Sequence, residues 1–293
     1  MKKTSYDVIT ERIIEILERG VIPWKRQWNS TNTEAQNFVS KKAYRGFNWL
    51  LLNSIVAAEG YKLPYFLTYK QAKEKGGQII KGSKGYPVVF WNFFDKKEGG
   101  QVVMGANGKP QQIPFMRYYT VFNAEQIEGI EWPEVGADDT IEFTPVEKAE
   151  NIITNWEDCP PIEHGCASAL YSLKEDIIRM PLKETFISES SYYSVLFHEM
   201  GHSTGHKDRL KREYGKRYGD KAYAYEELVA EMTACFLSSN AGISALVIED
   251  EAAYIKMWIG KLRDDNKMLV VAAGAAQKAS DMILGTTPEY EEE

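Results

Sequence analysis

The chain has 293 residues, 44% of them hydrophobic and 12% aromatic, which supplies packed cores and excludes a disordered protein. It contains no run of 18 apolar residues, and the opening "MKKTSYDVITERIIEILERG" lacks the apolar stretch of a signal peptide, so no membrane partner and a cytoplasmic location are expected. The net charge of −7 hides an asymmetry: residues 1–130 carry 19 Lys and Arg against 11 Asp and Glu, a balance of +8, whereas residues 131–293 carry 16 against 31, a balance of −15.

In chain order, the periodicity predicts a helix over about Tyr6–Arg19, closed by Gly20 and broken by Pro23. A second helix is predicted over Gly46–Glu59 and a short one over Tyr69–Lys75. Strands follow at Tyr86–Phe94, at "QVVMG" (101–105) and at Phe115–Asn123, with Gly-rich turns between them. The segment "GIEWPEVGADDTIEFTP" (Gly129–Pro145) has the composition of a linker. Beyond it, two helices stand out, one around residues 192–203 and one over Tyr225–Leu237. The acidic tail "PEYEEE" is expected to be disordered. The expected fold class is α+β, in two domains: residues 1–130, a linker at 131–144, and residues 145–293.

The basic half interleaves aromatic and cationic side chains. Trp24, Lys25, Arg26 and Trp28 form one cluster, Lys41, Lys42, Tyr44 and Arg45 a second, and Lys81 and Lys84 sit on a turn. Single-stranded nucleic acid is held by this combination, because cations follow the phosphates while ring faces stack on bases. Aromatic residues in a small mixed domain also build cores, and lysines also solvate surfaces, so these residues are candidates for DNA contact.

The most specific signal is His198-Glu199-Met200-Gly201-His202, an HExxH pattern. Serines at 188 and 190 offer helix caps upstream, and Gly205 offers a stop. On a helix, residues four apart share a face, so the two imidazoles converge on one ion. Neutral imidazole suits Zn²⁺, which in catalytic sites takes three protein ligands and a water. Glu199, beside the first ligand, is placed to take the proton from that water. A third ligand is needed, and Glu227, Asp208 and Glu231 are the candidates. Glu227 matches the glutamate that opens an ExxxD-type pattern, with Glu231 four residues on as the acceptor that orients a ligand histidine. Asp208 completes a HExxHxxGxxD spacing. Glu226 fits a helix N-terminal charge. Tyr223, Tyr225 and His206 are candidates to stabilise an oxyanion. The spacing of Cys159, His164 and Cys166 matches no standard zinc knuckle, and an odd count of three cysteines argues against disulfides.

Three N-terminal stretches, "YDVITERIIEILERGVIPWKRQW", "NFVSKKAYRGFNWLLLN" and "YYTVFNAEQIEGI", resemble the single-stranded-DNA-binding domain of the ArdC antirestriction family. "YYSVLFHEMGHSTGHKDRLKR" and "YAYEELVAEMTACFL" are similar to the zincin-type (SprT-like) metallopeptidase domain that follows it in that family. The resemblance implies a DNA-binding module joined to a zinc peptidase domain, a role in protecting incoming DNA of mobile elements, single-stranded DNA as partner and a possible protein substrate. The alternative it leaves open is a DNA-protection protein whose metal site is structural or vestigial.

Overall fold

The structure is a computed structural model and describes residues 3–24, 34–105, 108–133, 145–214, 221–243 and 251–286. Most of the expected linker, and Lys25, Arg26 and Trp28, lie outside the described residues.

The N-terminal half begins with helix α1 (Ser5–Glu18). Its start is set by Thr4, whose hydroxyl accepts from the Asp7 amide while the Asp7 carboxylate accepts from the Thr4 amide. Strand β1 (Gln36–Asn37) leads to α2 (Gly46–Glu59), which ends on Gly60 in the left-handed conformation. Then come β2 (Tyr65–Thr68), α3 (Tyr69–Glu74), β3 (Gln78–Ile79) and β4 (Tyr86–Asp95). The short strands β5 (Lys97–Glu98) and β6 (Gln101–Val102) form a small hairpin, followed by β7 (Gln112–Asn123) and β8 (Ile127–Glu128). The main sheet has the order β1-β2-β7-β4, with β1 parallel to β2 and the other pairs antiparallel. Strands β4 and β7 pair along ten positions, from Tyr86 with Val121 to Asp95 with Gln112. Only the first part of β4, Tyr86–Val89, is buried; beyond Phe90 the pair leaves the body of the protein as a two-stranded ribbon, with β5 and β6 at its tip.

The C-terminal half comprises α4 (Pro145–Asn155), β9 (Ile162–His164), β10 (Leu170–Ser172), β11 (Ile177–Met180), α5 (Glu189–Ser203), α6 (Lys221–Ala241), α7 (Glu251–Asp264) and α8 (Met268–Leu284). Its three-stranded sheet has the order β10-β11-β9, which leaves β10 on the edge beside α5. Helix α6 packs on α5, α4 and α8. That position explains why its buried residues run almost all round it, from Leu228 and Val229 through Thr233 to Leu237.

One hydrophobic core runs through both halves. Ile9, Ile13 and Leu17 of α1 and Leu50 and Leu51 of α2 lie in the same cluster as Leu228, Val229 and Met232 of α6, Trp258 of α7 and Leu269 and Ala273 of α8. Polar contacts follow the same seam. The Thr10 hydroxyl donates to the Asn266 carbonyl, the Gly46 amide to the Gln277 side chain, and Arg45 pairs with Asp281. A second core, under α4, α5 and β11, belongs to the C-terminal half alone. The expected α+β, two-part architecture therefore stands, but the basic and acidic parts are welded rather than tethered.

Candidate metal centre

Helix α5 starts where the sequence suggests, at Ser188, whose hydroxyl accepts from the Ser191 amide. Its His198 and His202 lie one turn apart, with their Nε2 atoms 3.1 Å from each other. Gly201 lets α5 reach α6: a Cβ there would lie 3.0 Å from Ala230 Cα and 3.2 Å from its carbonyl oxygen. This close crossing brings Glu227 of α6 to the histidines. Its two carboxylate oxygens lie 3.6 Å from His198 Nε2 and 3.6 Å from His202 Nε2. Among the described residues, His198, His202 and Glu227 are the one set of three potential ligands that converges. Two nitrogens each about 2.0–2.1 Å from a tetrahedral ion are about 3.3 Å apart, so the donor atoms are spaced for a single ion.

Asp208, one of the sequence candidates for third ligand, is exposed and lies 3.5 Å from His206 Nδ1, away from this set. The other, Glu231, points across α6 to α7, where it accepts from the Tyr254 hydroxyl. Its expected role, holding a ligand histidine by the other ring nitrogen, falls instead to Glu226, whose Oε1 lies 3.3 Å from His202 Nδ1. Glu226 is thus a buried partner and not a solvated helix-end charge, because its carboxylate is also gripped by Arg212 through Nε at 2.9 Å and Nη2 at 2.7 Å. Arg212 Nη2 further donates to the Gly201 carbonyl, and Tyr214 donates to the His202 carbonyl. Gly205 makes room for both: a Cβ there would lie 2.6 Å from the Tyr214 hydroxyl. Arg212 and Tyr214 carry no motif, and only the fold makes them part of the site.

Electrostatics fit a divalent cation. Glu199, Glu226 and Glu227 face the histidine pair, with Arg212 against them, which leaves about two negative charges to balance. Burial pushes the His202 imidazolium down, but Glu226, Glu227 and Glu199 outweigh it and raise its pKa. Burial pushes the Glu226 carboxyl up, and Arg212 and His202 pull it below its usual value. Glu199 is only 8% exposed, and burial raises its carboxyl above the ordinary range, against the pull of His202 and of the Tyr171 backbone N–H that it accepts from. Edge strand β10 thus orients Glu199, a contact not visible in the sequence.

Of the oxyanion candidates, Tyr223 lies four residues before Glu227 and shares its face of α6. Tyr225 lines an open cleft with Lys221, Lys267 and Val271. His206 is buried beside Asp176 and Asp208. The Asp176 carboxylate is held by Arg209 and by the Tyr171 hydroxyl at 2.6 Å, which fixes β10 against the loop after α5.

The DNA-contact candidates fare unevenly. Trp24 is 1% exposed, and its Nε1 donates to the Tyr254 hydroxyl at 2.8 Å; it is a core residue shielded from any base, which corrects its reading as a stacking platform. Tyr44 is half-buried and packs edge-on against Phe66. Arg45 pairs with Asp281. Lys41 lies 3.8 Å over the Phe38 ring. Lys41, Lys42, Lys81 and Lys84 are exposed.

Among the described residues no helix is long and apolar enough to cross a membrane. Residues 3–122 match the N-terminal domain of anti-restriction factor ArdC, and residues 147–275 match a zincin-like metallopeptidase family. An uncharacterized protein, y4eC, of Sinorhizobium fredii is 34% identical over 94% of this chain and 90% of its own length. The DNA primase TraC of Escherichia coli is 34% identical over 97% of this chain, which spans 27% of that longer protein. The crystal structure of the antirestriction ArdC protein from plasmid R388, metal-free, superposes with a TM-score of 0.72 at 35% identity, over 96% of this chain and 97% of the other. Its Mn(II)-bound form gives 0.73 at 32% identity, over 99% and 100%. The converging donors and these relatives mark a divalent-metal centre.

Proposed function

The chain belongs to the ArdC family of antirestriction proteins, and from that premise we propose that it is a cytosolic single-stranded-DNA-binding protein of a mobile element carrying a zinc-dependent peptidase. The DNA-binding part is residues 1–130 and the peptidase part residues 145–293. The observation that carries the peptidase reading is the convergence of His198, His202 and Glu227 beside a buried Glu199. Three reduced cysteines, Cys159, Cys166 and Cys235, suit the cytosol.

His198, His202 and Glu227 would hold Zn²⁺, whose donor preference matches two imidazoles and a carboxylate. Bound there, the ion supplies a Lewis acid and brings a water's pKa toward ~7. Glu226 fixes the His202 tautomer by accepting a hydrogen bond from its Nδ1–H, which leaves the Nε2 lone pair free to bind. Glu199 takes the proton of the attacking water and passes it to the leaving amine, and its raised pKa suits a base that must give the proton back. Tyr223 stands on the same face to donate to the developing oxyanion. A single-metal site of this kind suits amide hydrolysis better than phosphodiester cleavage, which commonly uses two metals.

The test measures binding of a labelled single-stranded oligonucleotide across a salt series, with a duplex control. Metal content and cleavage of an unfolded protein substrate are followed on the same samples, for wild type and Glu199→Gln. Salt-sensitive, strand-selective binding in both proteins, about one zinc per chain, and cleavage only by wild type are expected. DNA binding with zinc but no cleavage under any condition would leave a protection protein with a structural metal. No binding at low salt would remove the DNA role.

A further inference from the structure

We propose that the β4–β7 ribbon is the surface on which single-stranded nucleic acid stacks, with a base seated on the outer face of Phe94. This inference rests on the DNA-binding reading above and assigns its surface.

Period-two alternation and the pairing register place Phe90, Phe94, Phe115, Arg117 and Tyr119 on one face of the ribbon. Their rings are already arranged. Phe94 and Phe115 are stacked with centroids 3.9 Å apart and planes 7° from parallel, and the Arg117 guanidinium lies 5.0 Å from the Phe115 ring. Phe90 and Tyr119 continue the row at 5.6 Å. Phe115 is covered on one side by Phe94 and flanked by Arg117, so the ring left facing water is Phe94, which is 55% exposed. The opposite face exposes Trp91, Phe93 and Tyr118 as well. Side chains this apolar are ordinarily buried, and a contiguous exposed cluster marks a surface that is covered in use.

Charge and shape choose the occupant. Between residues 90 and 119 the chain carries Lys96, Lys97, Lys109 and Arg117 against Asp95 and Glu98, within a half whose balance is +8. A row of ring faces with interleaved cations is complementary to a polyanion whose bases are open. Only a single strand offers those bases, because in a duplex their faces are already stacked. A second copy of the chain would bring the same positive charges together.

Trp24, which composition singled out and the fold buries, is replaced in this assignment by aromatics the hairpin carries outward. The signal in the sequence is "FWNFF" (Phe90–Phe94), four aromatic residues in five, which occupy both faces of one strand.

The test measures fluorescence anisotropy of a labelled oligo(dT) on the full chain, comparing wild type, Phe94→Ala, Phe94→Trp and Arg117→Gln. Phe94→Ala is expected to bind about 10- to 100-fold more weakly with unchanged zinc content and thermal midpoint, and Phe94→Trp to restore binding. Arg117→Gln is expected to lower the slope of log affinity against log salt by about one. Wild-type binding with no loss in Phe94→Ala overturns the ribbon assignment and leaves the DNA-binding reading intact. Absence of wild-type binding overturns both. A change in sedimentation mass in Phe94→Ala with DNA affinity unchanged assigns the ribbon to self-association and also overturns it.

Discussion

The metal centre and the β4–β7 ribbon invert the ordinary distribution of side chains in opposite senses. At the metal centre, polar groups are buried: Glu199, Glu226 and Arg212 lie inside, and each is held by a named partner. On the ribbon, apolar groups are exposed: Trp91, Phe93 and Phe94 are 45%, 57% and 55% accessible. Burying a charge costs several kcal/mol unless it is paired, so a buried polar cluster persists only with fixed geometry, which is what chemistry at an ion requires. Leaving rings in water forgoes burial energy, about 25 cal/mol per Å² of apolar surface, which a partner recovers on binding. The first region should be intolerant of small changes and the second tolerant of large ones, as far as folding is concerned.

The largest expected effect is on turnover. Glu199→Gln keeps the shape of the side chain and removes the carboxylate proposed as the base, and should lower peptide hydrolysis by about 10²–10⁴-fold while zinc content stays at the wild-type level. Equal loss of zinc in that variant would show that Glu199 is structural. Next, Trp24→Ala should destabilise the protein by about 3–5 kcal/mol, read by urea unfolding, because the ring is enclosed by both halves and packs against Trp258 at 5.5 Å. A surface tryptophan would show almost no change. Third, Glu226→Gln should weaken zinc affinity by about 10- to 100-fold in a chelator competition, since the His202 orienting contact and the Arg212 pair are both damaged.

A smaller effect concerns acid. Burial pushes the Asp176 carboxyl up, and Arg209 and Tyr171 outweigh it, so its folded pKa lies below its unfolded value of about 3.9. Such a group contributes stability that is fully present above the unfolded pKa and is lost as pH falls through the folded one. Asp176→Asn should therefore lower the thermal midpoint at pH 7, and the gap from wild type should narrow below about pH 4. A constant gap across that range would contradict the linkage. The smallest effect belongs to the ribbon: Phe93→Ala should change folding stability by no more than about 0.5 kcal/mol.

The sequence made the metal helix legible because its signal is local. Residues 198 and 202 meet through helix geometry alone, and the Ser188 cap and the helix around Glu227 follow from short-range patterns. Helices α1, α2 and α3 and the strands at 86 and 115 fall within a few residues of expectation for the same reason. Helices α4, α7 and α8 and strands β9, β10 and β11 were not foreseen. Helix α8 is built on small residues such as Ala272, Ala273 and Ala276, whose burial is dictated by what crosses them rather than by a strong apolar stripe. The choice between Glu226 and Glu231 as orienting residue could not be made from helical spacing, because it depends on where α5 and α7 stand around α6. Arg212 and Tyr214 reach the site through a turn, where spacing carries no information. Trp24 is misread for a related reason: composition reports how many rings a half contains, and only the fold says which of them meet water.

The core shared by α1, α2 and α6–α8 has a consequence for any division of the chain. Glu227 stands immediately before Leu228 and Val229, which lie in the same apolar cluster as Ile13 and Leu51. Cutting the chain between its halves would uncover that cluster beside the residue that faces the two histidines. The segment of TraC that resembles this chain includes both halves together, 97% of the sequence inside a far longer protein. A separation of the two halves would therefore expose apolar surface on α6 that α1 and α2 now cover.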